Sequence, residues 1–213
     1  DVKWSNKILN GGYILHFRHA ERDKWTDVQK YDALESHLHD NGIESSRFAE
    51  KDYFGDAVCL NKRGKIQAKA MGEHIKHVNL PIGYVVSSPS CRARQTAELA
   101  FGGYDDMNVV LVHYGPYNES RPEHVNNLSI YYRNLPLEKG KNTIVSGHNS
   151  TIHKDMFDNN LLKLNLKKDL NSLTLEEGGF FVISREGIGK DSKLNLVYQF
   201  HNFRFFTKNF YNR

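Results

Sequence analysis

What this chain has little of already narrows its class. Its 213 residues include two cysteines, five prolines, three methionines and two tryptophans. The uninterrupted apolar runs are four to six residues long, far short of the roughly 20 that a bilayer-crossing helix needs, so no membrane span is expected. No tract is compositionally degenerate, and no repeat recurs along the chain. An excess of one charge sign is missing as well: 29 basic residues stand against 25 acidic ones, a net +4. The basic residues are scattered instead of lying in one stripe with interleaved aromatics, which argues against nucleic acid as the main partner. A mild positive excess suits small anionic substrates. The chain opens Asp1-Val2-Lys3-Trp4 without a methionine, consistent with a removed signal peptide or a trimmed chain.

What is present reads as alternating elements. Gly11-Gly12 leads into Tyr13-Ile14-Leu15-His16-Phe17, a buried strand. Asn61 is placed to cap a helix whose Met71, Ile75 and Val78 share one face, and Pro81 marks its end. Residues 82–86 form the next strand, 92–100 a helix closed by Gly102-Gly103, and 109–113 a further strand. Residues 122–134 read as helix, 142–146 as strand, and 150–157 open another helix. Phe180-Phe181-Val182-Ile183 and the run 194–200 read as a C-terminal hairpin at the sheet edge. This order predicts an α/β fold, a three-layer α/β/α sandwich with a mostly parallel central sheet. The length fits a single domain over 1–213. Residues 22–58 form a long excursion with nine acids and five bases; because it leaves directly from the first motif below, it is expected to be a substrate-facing, cap-like insertion.

Three segments carry chemistry: Ile14-Leu15-His16-Phe17-Arg18-His19-Ala20-Glu21, Ser87-Ser88-Pro89-Ser90-Cys91-Arg92-Ala93-Arg94-Gln95-Thr96-Ala97, and Thr143-Ile144-Val145-Ser146-Gly147-His148-Asn149-Ser150. Each sits where a strand gives way to a loop or helix, the usual place for chemistry in such folds. In this order they resemble the histidine phosphatase superfamily, branch 1, which includes the cofactor-dependent phosphoglycerate mutases. The resemblance covers residues 10–155 and implies a phosphoglycerate mutase-like fold. It also implies a metal-independent reaction through a phosphohistidine intermediate, with no cofactor. By the same resemblance His19 is the nucleophile, Arg18 and Arg92 hold the phosphoryl group, and His148 donates to a third oxygen. Ser150 assists in binding.

Chemistry accounts for those residue types. An imidazole attacks phosphorus only through an unprotonated nitrogen, and neighbouring guanidinium charge keeps it unprotonated. Planar guanidinium forks match pairs of phosphate oxygens. The leaving alkoxide needs a proton, and Glu119 is the preferred donor, with Glu123, Asp23 and Glu21 as alternatives; Glu21 reads more readily as structural. The acid phosphatase branch places an aspartate directly after its second histidine, where this chain has Asn149. Arg22 fits that branch's first motif, whereas Lys24 stands in place of its proline. Arg94 is expected to be a solvated charge on another helix face.

A metallohydrolase is the first rival among eleven histidines. Spacing disfavours it: His16 and His19 point to opposite faces of a strand, His148 and His153 diverge on a helix, and no HExxH or paired-cysteine motif is present. A catalytically silent relative that only binds a phosphorylated ligand is the second, and a phosphoglycerate mutase-type phosphotransferase the third. The acidic insertion offers no evident cationic clamp for a carboxylated phosphoester, so a phosphomonoester hydrolase is expected. Similarity of the RHAE-type motif to periplasmic sugar-phosphate phosphatases implies a sugar phosphate as the small-molecule substrate. Cys59 and Cys91 each precede a helix beside the expected site; they are either bridged, implying an oxidising compartment, or two thiols. A periplasmic or secreted location is accordingly favoured slightly over a cytoplasmic one. Oligomeric state leaves no trace in the sequence.

Overall fold

The structure is a computed structural model, and it describes residues 2–24, 56–112, 120–149, 151–161 and 173–211. Helix α1 (Val2–Ile8) precedes strand β1 (Ile14–Arg18), and α2 (Lys62–His77) precedes β2 (Ile82–Ser87). Helix α3 (Cys91–Phe101), the short β3 (Asp106–Met107), α4 (Arg121–Asn134) and β4 (Asn142–Gly147) follow. The chain closes with β5 (Phe180–Glu186), β6 (Lys193–Phe200) and α5 (Phe203–Tyr211). Six strands form one sheet in the order β3-β2-β4-β1-β5-β6. The pairs β3-β2, β2-β4 and β4-β1 are parallel, and β5 is antiparallel to both its neighbours. The expected mixed α/β architecture, with its mostly parallel sheet and C-terminal edge hairpin, is therefore present.

Strand alternation assigns the two faces of the sheet. Ile14, Val145 and Phe181 pack with Leu128 and Tyr132 of α4 on one side. Leu15, Phe17 and Val182 pack on the other with Ile8 of α1, Met71 and Ile75 of α2, Ala97 of α3 and Phe203 and Phe206 of α5. Each fully buried aliphatic or aromatic side chain contributes on the order of 2 kcal/mol, so the sheet is clamped from both faces. Helix α2 begins as its sequence demands, with the Asn61 side chain accepting from the Gly64 amide at 2.7 Å. Helix α3 ends at Gly102, in the left-handed region with φ 85°, where a β-carbon would be strained.

Two expected elements differ. Residues 109–111 are a 3-10 turn, not a strand: the Asn108 side chain accepts from the Val110 amide at 3.0 Å and bends the chain, so the edge strand falls earlier, at Asp106–Met107. Within 151–157 there is only a 3-10 turn, Lys154–Met156, in place of the expected helix. His148 and His153 thus belong to an irregular connection, and His148 does not precede a helix N-terminus. Nearly all of the cap-like insertion, together with Glu119 and Ser150, lies outside the described residues.

Candidate functional site

The register of the parallel strands brings the motifs to one edge. Arg18 pairs with Gly147 across β1 and β4, and Ser87 with Ser146 across β2 and β4, so the residues that follow, His19, His148 and Ser88, emerge side by side at the strands' carboxyl ends. The ladder continues one step beyond β1, because the His19 amide donates to the Gly147 carbonyl at 3.0 Å. Backbone hydrogen bonds therefore aim the first motif at the third.

His19 is 4% exposed. Its Nδ1 lies 2.7 Å from the Ala20 carbonyl oxygen; a carbonyl only accepts, so Nδ1 carries the proton and Nε2 keeps its lone pair. Burial, above all, and then the Arg92 charge, reinforced by Arg18 and Arg22, hold its pKa well below the usual imidazole value, against the opposing pull of the Ala20 bond. The His148 ring stands edge-on to it at 5.5 Å between centroids, and its Nε2 meets the Ser88 hydroxyl at 2.8 Å.

Arg92, 1% exposed, lies in the first turn of α3 and donates through Nη1 to the Val58 carbonyl at 3.5 Å. The residue before it, Cys91, is disulfide-bonded to Cys59, which resolves the alternatives left open by the sequence. The Leu60 amide donates to the Gln95 side chain at 2.9 Å, so the bridge and this bond tie residues 58–60 to α3 beside Arg92. Thr96 of the same helix accepts from the Ala20 amide at 3.0 Å and so fixes the loop after His19 against α3.

Arg18 is held by a segment that sequence reading passed over. Its Nη1 donates to the Leu175 carbonyl at 2.5 Å, and its Nη2 pairs with the Glu177 carboxylate. The Asn149 side-chain oxygen accepts from the Leu175 amide at 2.7 Å. An amide at this position thus braces the segment that grips Arg18, in place of the aspartate of the other branch. The Gly178 amide donates to the carbonyls of Arg18 and His19 at 3.2 and 3.3 Å.

The alternative acids separate by role. Glu21 is structural: its carboxylate accepts from Asn61 at 3.2 Å and pairs with Arg63, while its amide donates to Gln67. Asp23 accepts from the same Asn61 side chain at 3.0 Å. Glu123 is exposed in the first turn of α4, which Ser120 caps. Arg94, expected to be solvated, is instead 1% exposed, and its Nε donates to the Pro89 carbonyl at 2.9 Å. This guanidinium closes the turn that leads into α3. Among the described residues, no three histidine, cysteine or carboxylate side chains gather closely enough to hold a metal ion.

Residues 55–112 match the model of the histidine phosphatase superfamily (branch 1). No curated protein matches the chain. Several solved structures share the fold. The protein histidine phosphatase SixA complexed with tungstate is 16% identical over 88% of this chain and 96% of its own, with a TM-score of 0.51. The product of open reading frame Rv3214 from Mycobacterium tuberculosis is 15% identical over 89% and 97%, at 0.51. A SixA protein from Nakamurella multipartitia is 20% identical over 91% and 99%, at 0.51. The family model thus matches the stretch that carries Cys59, Cys91 and Arg92, and the solved structures share the fold of nearly the whole chain.

Proposed function

We propose that this chain is a phosphomonoester hydrolase that works through a phosphohistidine at His19 on a small phosphorylated substrate, with a sugar phosphate as the expected class. One observation carries the reading: a desolvated imidazole beside two guanidinium groups and a second histidine, with its proton committed to the Ala20 carbonyl and its Nε2 lone pair available. In the proposed reaction Nε2 attacks phosphorus and the ester P–O bond breaks, with Glu119 proposed to protonate the departing alkoxide. Water then attacks the phosphohistidine, the N–P bond breaks, and inorganic phosphate leaves. Arg18, Arg92, His148 and Ser150 are proposed to bind the phosphoryl oxygens, where each preorganised donor lowers the barrier by about 3 kcal/mol. That a structural relative was solved in complex with tungstate, an oxyanion, supports phosphoryl binding as the reading. Hydrolysis is preferred to transfer onto a second substrate because residues 22–58 carry nine acids and only five bases, a poor clamp for a carboxylated phosphoester. The disulfide favours an oxidising compartment.

Rapid quench with a labelled phosphomonoester is expected to trap an acid-labile, alkali-stable adduct on the protein that His19→Ala lacks. Turnover with no adduct, or an adduct that persists in His19→Ala, would overturn the proposal.

A further inference from the structure

His16 stands three residues before the proposed nucleophile and takes no part in the reaction as written. By strand alternation it shares the face of Ile14, an apolar position, and it is fully buried there between the rings of Tyr132 and Phe181, each 6.2 Å away. A buried imidazole is costly unless both nitrogens are satisfied. Here they are. Nε2 lies 3.1 Å from the His148 carbonyl oxygen, and Nδ1 lies 2.6 Å from the Tyr132 hydroxyl. Because the carbonyl only accepts, Nε2 must carry the proton; Nδ1 is then an acceptor, and the Tyr132 hydroxyl must donate to it. The chain of donors has one solution, running from Tyr132 through His16 to the backbone of His148.

The same ring dictates the residue before His148. A β-carbon on Gly147 would stand 2.7 Å from the His16 Cε1, closer than any relaxed contact, so the glycine of the Gly-His pair is required by the histidine lying against it. His148 is consequently fixed twice, its carbonyl by His16 and its ring by Ser88 at 2.8 Å.

We propose that His16 and Tyr132 are positioning residues that set where the His148 imidazole stands relative to His19. The proposal rests on the functional reading above only for its kinetic consequence. It assigns a task to a core histidine and to a tyrosine of α4, far from the motif in sequence, and neither touches the substrate in the proposed reaction.

Three variants of the full chain test it: Tyr132→Phe, His16→Leu and His16→Gln, the last keeping an amide N–H that can reach the His148 carbonyl. With a phosphomonoester as substrate, Tyr132→Phe and His16→Leu are expected to lower kcat roughly ten- to a hundredfold, as small misplacements of a reacting group do, with KM little changed. His16→Gln is expected to recover most of that loss. Ile14→Val, on the same face, serves as the control for core destabilisation and is expected to leave kcat unchanged. A readout independent of turnover is the NMR titration of the His148 ring, whose midpoint and line positions should move in His16→Leu and return towards wild type in His16→Gln. Unchanged His148 signals in His16→Leu, or a kcat that follows thermal stability alone across all four variants, would overturn the positioning role. A wild-type protein with no turnover would instead count against the proposed function, while the His148 titration would still decide this inference.

Discussion

At the scale of single residues, the two histidines of the first motif are kept neutral for different ends. Burial lowers the His16 pKa from 6.5 to about 4, its bond to the His148 carbonyl opposing the shift. Between those values the unfolded chain binds more protons than the folded one, so this contribution to stability is complete above pH 6.5 and is lost progressively as pH falls towards 4. The interval corresponds to about 3 kcal/mol in full. His19 acts in the same direction. Urea unfolding at pH 5 is therefore expected to give a stability about 2 kcal/mol below that at pH 7 from His16 alone; His16→Gln should flatten that dependence, and an equally steep loss in the variant would locate the titration elsewhere. Nothing in the sequence announces this role, because a histidine within an apolar strand looks the same whether it fills space or holds a neighbour. Arg94 shows the same limit: its partner is the Pro89 carbonyl at the entry to α3, a contact that helical periodicity does not contain.

At the scale of elements, what could be read followed the strength of the local pattern. The strands carrying Arg18 and Gly147, and the helix capped by Asn61, have caps or periodicities that tertiary structure reinforces. The run Val109-Val110-Leu111-Val112 carries a strand's composition, yet the Asn108 cap turns it into a 3-10 bend. Helix α5 is short and rich in aromatics, poor helix formers, and it exists because Phe203 and Phe206 bury against the sheet. Helix α2 offers a case where propensity and packing disagree. Replacing Gly64 by alanine in a helix should help by about 1 kcal/mol on propensity alone. A β-carbon there would lie 1.9 Å from the Glu21 carbonyl oxygen, a backbone atom at the end of the first motif, and forced overpacking costs about 1–3 kcal/mol or more. Gly64→Ala is thus expected to destabilise the protein in urea, and by more than Asn61→Ala, which should cost about 1 kcal/mol through loss of the cap. A stabilised Gly64→Ala would mean that the helix moves away from Glu21 without penalty.

At the scale of the molecule, the bridge between Cys59 and Cys91 spans 32 residues and joins the approach to α2 with the start of α3. Closing a loop of that length in the unfolded chain contributes about 3–4 kcal/mol to stability. The double variant Cys59→Ala/Cys91→Ala is expected to melt roughly 10 °C lower and, since Arg92 follows Cys91 directly, to bind vanadate more weakly at temperatures where it is still folded. Vanadate affinity equal to wild type would confine the bridge to a stabilising role.

Arg18 ends a central strand with partners on either side, and the hydrogen-bond ladder reaches one step further, to the His19 amide. The imidazole proposed to attack phosphorus is thereby tied to the framework by its own backbone. On the proposed function, sequence change in the surrounding connections would retune which molecule is accepted while leaving the aim of the imidazole undisturbed, so such a scaffold suits diversification of specificity around one reaction.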